Sequence, residues 1–216
     1  FRSRIVNQGT IRSDISAQTL TVSPDDLDNQ GTIEALNDGD LTINGPIITN
    51  SGLMSITGGG RLILGNGTDS VTNTGQVSAT DSRLDLGGNW TNTAGTITVD
   101  NSDVYLGGDF STPDIGALNR TGGTLNISGN WDNTGQSFTF DPGTGDWLLD
   151  GGTISGGTLN QGTLGEGLDF AINNNNILNG GLIYNGDLNL GIPAGRVRLE
   201  SGASFTGDAN LDATSS

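Results

Sequence analysis

Apolar residues recur along the chain in short alternating clusters that return about every 21 residues. In the clearest cluster, two apolar positions are separated by one polar position. These clusters are Leu20/Val22, Leu41/Ile43, Leu62/Leu64, Leu84/Leu86, Val104/Leu106, Leu125/Ile127, Trp147/Leu149, Leu168/Phe170 and Leu188/Leu190. A period of two is typical of a β-strand with one buried face. The clusters therefore predict nine strands at one regular spacing.

Two further sets of apolar positions share this period. One set follows an Asn-x-Gly-Thr-Ile sequence or a variant of it, and the first five asparagines are 22, 21, 23 and 19 residues apart. Its apolar members are Ile11, Ile33, Met54, Val77, Ile97, Leu118, Phe138, Leu159 and Leu182. The other set is Leu27, Ile48, Val71, Trp90, Phe110, Trp131, Ile154, Ile177 and Val197. Three sets with one period favour a solenoid over a meandering sandwich.

The three sets predict an all-β fold, a right-handed parallel β-helix with three strands per coil and about 21 residues per coil. Nine to ten coils spaced about 4.8 Å apart would make a stiff rod on the order of 45 Å long. Residues 1–216 are interpreted as a single β-solenoid domain. No helix is predicted, because Gly interrupts nearly every window of ten residues and Lys is absent.

Stacked coils bring like residues together. We expect Trp90, Phe110 and Trp131 to form an aromatic ladder in the core rather than a carbohydrate platform. The asparagines Asn7, Asn29, Asn50, Asn73 and Asn92 are expected at a corner, with left-handed backbone angles and hydrogen bonds along an amide stack.

Composition excludes several kinds of chemistry. The 216 residues include no Cys and no His, and the cationic side chains are eight Arg. Metal sites built on imidazole or thiolate, Cys or Ser-His nucleophiles and catalytic Lys therefore lack their essential atom. The formal net charge of −16 repels phosphate backbones, so nucleic acid is not an expected partner. No apolar run approaches the length of a bilayer helix, so the chain is not predicted to span a membrane.

Two functional alternatives involve carboxylates. Calcium needs six to eight converging oxygens, and Asp38-Gly-Asp40 and Gly65-Asn-Gly-Thr-Asp69 are the nearest matches to a calcium-binding turn. Solvated loops explain both, so no metal or cofactor is predicted, and calcium stays a weak alternative. A polysaccharide hydrolase needs two carboxyl groups about 5 to 10 Å apart, which Asp85 and Asp103 on neighbouring coils could supply. An acidic solenoid also produces such pairs by chance, so no catalytic residue is predicted.

An ice-binding face needs regularly spaced Thr on one flat wall. Thr19/Thr21 and Thr96/Thr98 supply outward Thr, but the slots compared with them are mostly charged. These slots hold Asp40/Thr42, Arg61/Ile63, Arg83/Asp85, Asp103/Tyr105 and Arg196/Arg198. The array is therefore interpreted as broken.

Three segments resemble a known class of repeat. Leu27-Asp-Asn-Gln-Gly-Thr-Ile-Glu-Ala35, Leu86-Gly-Gly-Asn-Trp-Thr-Asn-Thr-Ala-Gly-Thr-Ile97 and Ile127-Ser-Gly-Asn-Trp-Asp-Asn-Thr-Gly135 are similar to repeats of filamentous-haemagglutinin-like and autotransporter-passenger-like β-helices of bacterial surfaces. The resemblance covers most of the chain. It implies export, a place at the cell surface, and use as an adhesin, stalk or fibre.

Neither end shows a cap that would block further strand pairing. Phe1 leads directly into the first repeat, and the tail after Leu211 is short. We therefore expect either a fragment of a longer solenoid or a subunit that associates head to tail through its terminal coils. The predicted function is a non-catalytic extracellular structural or adhesive β-helix at the bacterial cell surface. A carbohydrate-binding adhesin that contacts surface glycans and a polysaccharide-cleaving enzyme with paired Asp are the alternatives.

Overall fold

The computed structural model describes residues 2–191 and 194–210, which form thirty short strands and one short helix. The chain divides into two compact units, residues 1–123 and 124–216. The strands of the first unit are β1 (Arg4–Asn7), β2 (Thr10–Ser13), β3 (Thr19–Val22), β4 (Asp26–Asn29), β5 (Thr32–Ala35), β6 (Asp40–Ile43), β7 (Ile47–Asn50), β8 (Leu53–Thr57), β9 (Arg61–Leu64), β10 (Ser70–Asn73), β11 (Gln76–Thr80), β12 (Arg83–Leu86), β13 (Asn89–Thr91), β14 (Thr96–Asp100), β15 (Asp103–Leu106), β16 (Asp109–Ser111) and β17 (Ala117–Thr121), with helix α1 (Thr112–Ile115) between the last two. The strands of the second unit are β18 (Thr124–Ile127), β19 (Asn130–Asp132), β20 (Ser137–Thr139), β21 (Trp147–Leu149), β22 (Thr153–Ser155), β23 (Thr158–Asn160), β24 (Leu168–Phe170), β25 (Ile177–Asn179), β26 (Ile183–Asn185), β27 (Leu188–Asn189), β28 (Arg198–Leu199), β29 (Ser204–Phe205) and β30 (Ala209–Asn210).

Every third strand of the first unit pairs in parallel, so the unit has three walls. Wall A contains β1, β4, β7, β10, β13 and β16. Wall B contains β2, β5, β8, β11, β14 and β17, and wall C contains β3, β6, β9, β12 and β15. Together the two units carry about ten turns, spaced about 21 residues apart. The prediction of an all-β solenoid with three-stranded parallel coils is therefore confirmed.

The three sets of apolar positions face inward, one set to each wall. On wall C, Leu41, Leu62 and Leu84 are consecutive register partners, and each is fully buried. On wall B, Ile33 and Met54 are likewise partners and fully buried. Burial of a Leu or Ile side chain stabilises a fold by roughly 1.5 to 3 kcal/mol, and each coil adds several such side chains. Parallel pairing therefore carries the core continuously from coil to coil within the unit.

Every third strand of the second unit likewise pairs in parallel. Wall D contains β19, β22, β25 and β28, wall E contains β20, β23, β26 and β29, and wall F contains β18, β21, β24, β27 and β30. Two predicted positions are wrong here. Leu178 instead of Ile177 is the partner of Ile154, and Leu178 also pairs with Leu199 instead of Val197.

One position of wall E is also misassigned. Tyr184 instead of Leu182 is the register partner of Leu159, although Leu182 is itself fully buried. Gly180 and Gly181, both with positive φ, lengthen the turn before β26, and this extra length shifts the phase.

Aromatic side chains are buried in both units, as predicted. Trp90 and Phe110 stack with ring centroids 4.6 Å apart in the first unit. Trp131 belongs to the second unit, where its ring lies 5.1 Å from that of Phe138 and 5.4 Å from that of Trp147. The rings of Trp90, Phe110, Trp131 and Trp147 are each at least nine-tenths buried and therefore act as core.

The helix α1 is the element that the sequence pattern missed. Pro113 lies in its first turn, where a missing backbone N–H costs nothing. The Asp114 carboxylate accepts hydrogen bonds from the backbone N–H and the hydroxyl of Ser111. One turn of helix is too short to produce a helical period in the sequence. It also leaves the spacing of the coils unchanged.

The five asparagines form the predicted amide ladder at the end of wall A. Each side-chain amide nitrogen donates to the side-chain oxygen of the next asparagine, at 2.7, 2.7, 2.7 and 2.6 Å along Asn7, Asn29, Asn50, Asn73 and Asn92. All five side chains are buried. The left-handed backbone angles predicted for them are wrong, because these residues lie in or directly after extended strands. Left-handed residues occur instead between walls B and C, at Asn37, Asp38, Asp81 and Asn101.

In the coils after the first, the glycine that follows the ladder Asn is required by close backbone approach. A Cβ on Gly52 would lie 2.1 Å from the carbonyl oxygen of Gly31, and a Cβ on Gly75 would lie 2.2 Å from that of Gly52. The Asn-x-Gly sequence thus encodes a corner in which an amide faces inward and the backbone of the next coil passes without a side chain between.

Leu84→Asp tests the inward assignment of wall C. The carboxylate would be buried without a partner, so we expect the free energy of unfolding to fall by at least about 3 kcal/mol in chemical denaturation. Thr42→Asp, on the outward side of the same wall, is the control and should change stability by less than about 1 kcal/mol. Equal effects of the two substitutions would show that the wall faces are misassigned.

Asn50→Ala tests the ladder. It removes an acceptor from Asn29 and a donor from Asn73, and we expect a loss of about 2 to 4 kcal/mol because buried polar groups are left unpaired. Gln30→Ala removes an exposed amide that bonds Gln8 and should cost less than about 0.5 kcal/mol. If both variants unfold at the same denaturant concentration, the ladder contributes nothing to stability.

Candidate functional site

A cluster of charged side chains lies on the outward face of wall C. Arg61 and Arg83 are register partners, and both bind the carboxylate of Asp85. Arg83 does so through two nitrogens, with its Nη2 2.7 Å from Asp85 Oδ1 and its Nε 2.9 Å from Oδ2. Its guanidinium carbon also lies 3.8 Å from the ring centre of Tyr105. The hydrogen bonds to Asp85, followed by its charge, raise the pKa of Arg83.

This cluster is where the carboxylate pair considered for hydrolysis lies. Asp85 is the register partner of Tyr105, and Asp103 is the partner of Arg83, so the two carboxylates lie on a diagonal. Both oxygens of Asp85 accept hydrogen bonds from guanidinium groups. The arrangement is typical of an ion-pair network that joins coils, in which the carboxylate is already bonded on both oxygens.

The two calcium-like turns are also bonded within the protein. Asp38 accepts a hydrogen bond from the hydroxyl of Ser16, and Asp69 accepts backbone N–H bonds from Gly45 and Asn66. Among the residues that the structure describes, no group of three or more acidic side chains is arranged to hold a metal ion.

Several aspartates bond one coil to the next, which sequence reasoning missed. Asp40 accepts the backbone N–H of Arg61 at 2.8 Å, and Asp146 accepts that of Gly167 at 2.9 Å. Asp187 accepts the N–H of Asp208 at 2.8 Å. Each bond spans 21 residues, and each acceptor stands at or just before the start of a strand in wall C or wall F. An Asp recurring at that one position of the coil is the signal that could have identified them.

The second unit contains a perturbed carboxyl group. Burial of Asp169, together with the charge of Asp146, raises the pKa of Asp169 above 3.8, and a hydrogen bond from Asn189 opposes the shift. Burial likewise raises the pKa of Tyr184, whose hydroxyl accepts the backbone N–H of Leu168 at 3.1 Å. Raised pKa values occur at active sites, but they also occur where a solenoid stacks like charges.

The indole N–H of Trp147 is unpaired. Among the described residues it is the buried side-chain polar atom that lacks a hydrogen-bond partner. Its ring packs against those of Trp131, Phe138 and Phe140. Burial of an unpaired donor costs about 1 to 3 kcal/mol, which close aromatic packing offsets.

The outward Thr residues considered together as an ice-binding array lie on two different walls. Thr19 and Thr21 belong to wall C, whereas Thr96 and Thr98 belong to wall B. The outward Thr residues of wall B were therefore compared with the charged outward positions of wall C. Over β8, β11 and β14 the outward positions of wall B are mainly Ser and Thr.

A groove of about 450 Å³ runs beside these strands at the corner between walls A and B. Its lining residues are Ser51, Gly52, Leu53, Thr74, Gly75, Gln76, Ala94 and Thr96. They come from three successive coils, so the groove follows the stacking direction of the first unit.

No family model, curated protein sequence or solved structure matches the chain significantly. The structure shows a β-solenoid repeat, and the relation to filamentous-haemagglutinin-like proteins stays a proposal. No helix in the described residues has the length and apolar character needed to cross a bilayer.

Asp169→Asn tests the perturbed carboxyl. A raised folded-state pKa means that Asp169 favours folding below the unfolded pKa and that this contribution is lost as pH rises through the raised value. At neutral pH the variant should therefore be more stable than the parent, by up to about 1 kcal/mol because solvent screens a half-exposed group. Chemical denaturation at neutral pH and near pH 3.8 should show the difference shrinking on acidification.

Asp132→Asn supplies a control of opposite sign. Hydrogen bonds from the hydroxyl and backbone N–H of Thr134 lower the pKa of Asp132, so its contribution is present at neutral pH and lost as pH falls through the lowered value. The variant should be less stable than the parent at neutral pH. A shift of the same sign in both variants would contradict these assignments.

Proposed function

We propose that the chain is a non-catalytic structural β-solenoid of a bacterial cell-surface or secreted protein, where it acts as a stalk, fibre element or adhesive spacer. The observation that carries this proposal is that polar groups repeatedly bond one coil to the next. The bonds include the buried amide ladder, the coil-to-coil aspartates and the ion pairs of Asp85. Groups engaged in this way hold the stack together.

The charge and the repeat signature support the external location. A net charge of −16 keeps a repetitive surface soluble and discourages association with polyanions. The resemblance of the repeats to filamentous-haemagglutinin-like and autotransporter-passenger-like proteins points the same way. In a spacer of this kind, function depends on regular coils more than on one reactive residue.

Self-association through the terminal coils belongs to the same proposal. In the first described coil the inward position Ile5 is 38% exposed, whereas its partner Leu27 in the next coil is fully buried. The strands β1, β2 and β3 pair on one side within the described residues. A parallel strand from another copy would complete this pairing.

Incubation with neutral and acidic polysaccharides tests the absence of catalysis. We expect no reducing-sugar release by the parent chain, by Asp85→Asn or by Asp103→Asn. Release by the parent that is lost in either variant would overturn the proposal in favour of a hydrolase.

Negative-stain images over a concentration series then separate the forms of the structural role, since end-to-end filaments support a fibre element and separate particles at every concentration support a spacer within a longer chain.

A further inference from the structure

Over β8, β11 and β14, wall B carries a hydroxyl-rich outward face with little charge. Three strands each present three outward positions, and the positions are in register across the coils. In order they are Leu53, Ser55 and Thr57 on β8, Gln76, Ser78 and Thr80 on β11, and Thr96, Thr98 and Asp100 on β14. Asp100, at the edge, is the charged member of this set. The face is three positions wide, and we call these nine residues the hydroxyl face.

The hydroxyl groups of this face have no hydrogen-bond partner among the residues that the structure describes. Within the part of the chain that the structure describes, the side chains of Ser55, Thr57, Ser78 and Thr98 make no hydrogen bond to another residue, and Thr80 is bonded through its backbone oxygen. This differs from wall C, where Asp85 is held by two arginines. A hydroxyl both donates and accepts, so the face can match a ligand that does the same.

The groove described above borders the hydroxyl face. Leu53, Gln76 and Thr96 belong to both, because they are the first outward residues of β8, β11 and β14. The floor is set by Gly52 and Gly75, which have no room for a Cβ. The groove is therefore a fixed product of the corner geometry, and it lies parallel to the direction in which the coils stack.

Charge limits the class of ligand. The nine positions of the hydroxyl face include no cationic side chain, and the chain as a whole carries a net charge of −16. Acidic polymers such as uronates and sulfated glycans would be repelled. A neutral chain whose own groups are hydroxyls meets no such barrier.

We propose that the groove and the hydroxyl face together bind a neutral polysaccharide chain that lies along the stacking direction. Successive coils are about 4.8 Å apart, close to the length of one pyranose ring, so each sugar would meet the row of outward side chains of one strand. A single hydrogen bond contributes little to affinity by itself, so affinity arises from repetition. The inference rests on the adhesive part of the proposed function and gives it a ligand class.

Native electrophoresis in gels that contain hydroxyethyl cellulose, galactomannan or polygalacturonate tests the proposal with the whole chain. We expect at least one neutral polymer to retard the parent and polygalacturonate to have no effect. Ser55→Glu combined with Ser78→Glu places two bulky charges on the hydroxyl face and should weaken binding tenfold or more. Ala94→Gln, which narrows the groove, should weaken it as well.

Thr42→Glu is the matched control, because Thr42 is a half-exposed outward residue on wall C and should leave binding unchanged. Thermal unfolding of each variant shows whether the fold is retained. If the double Glu variant is destabilised, Ser55→Ala combined with Ser78→Ala and Thr98→Val replaces it, with an expected loss of about tenfold.

The proposal is overturned if no neutral polymer retards the parent, if the hydroxyl-face variants bind as the parent does, or if Thr42→Glu loses binding equally. Retardation by polygalacturonate alone, or activity of the face only in inhibiting ice recrystallisation, also overturns it. These outcomes leave the spacer role intact, since that role depends on the coil stack and on the lack of sugar release.

Discussion

Register between successive coils is the constraint on which the structure depends. Parallel backbone pairing by itself tolerates slippage, but a shift of one residue would turn every inward Leu or Ile of a wall toward solvent. Each coil therefore needs a feature that fixes its phase. The buried asparagines provide it in the first unit, because an amide displaced by one position would lose two hydrogen bonds in a dry environment. Apolar burial supplies most of the stabilisation, and the amides select which stacking is stabilised.

The stacking of coils also explains why many charged side chains at the surface are bonded within the protein. A solenoid with an excess of acids must stack like charges at short spacing, and this one relieves the repulsion locally. Asp40 bonds a backbone N–H of the adjacent coil, and Asp85 is shared between Arg61 and Arg83. At Asp169, burial together with the charge of Asp146 raises the pKa, so the proton is held more tightly. Over β8, β11 and β14 wall B carries little charge, and its hydroxyls remain available.

The sequence predicted the architecture because each inward position repeats an apolar residue against a polar background. Prediction failed where local turn chemistry changed the count. Before Leu178, the connection from β24 to β25 is longer than the one from β21 to β22, which moves the inward position, and the buried Asn176 in that connection accepts the N–H of Gly151. The helix α1 was invisible because four residues carry no period. The hydroxyl face was missed because outward residues lack a hydrophobic signal, and Thr96 was compared with slots on another wall. Assigning outward residues to their own wall would have revealed it.

The amide ladder also has a sense of direction. Every member donates toward the following coil, and Asn92 ends the series by donating to the backbone carbonyls of Ile115 and Ala117. Duplication of a whole coil brings one new donor and one new acceptor, so the series closes again without an unpaired group. Insertion or loss of a few residues would leave a buried amide without its partner. Recombination can therefore lengthen or shorten such a protein in complete coils. The spacing of the buried amides along the chain equals the length of one such coil.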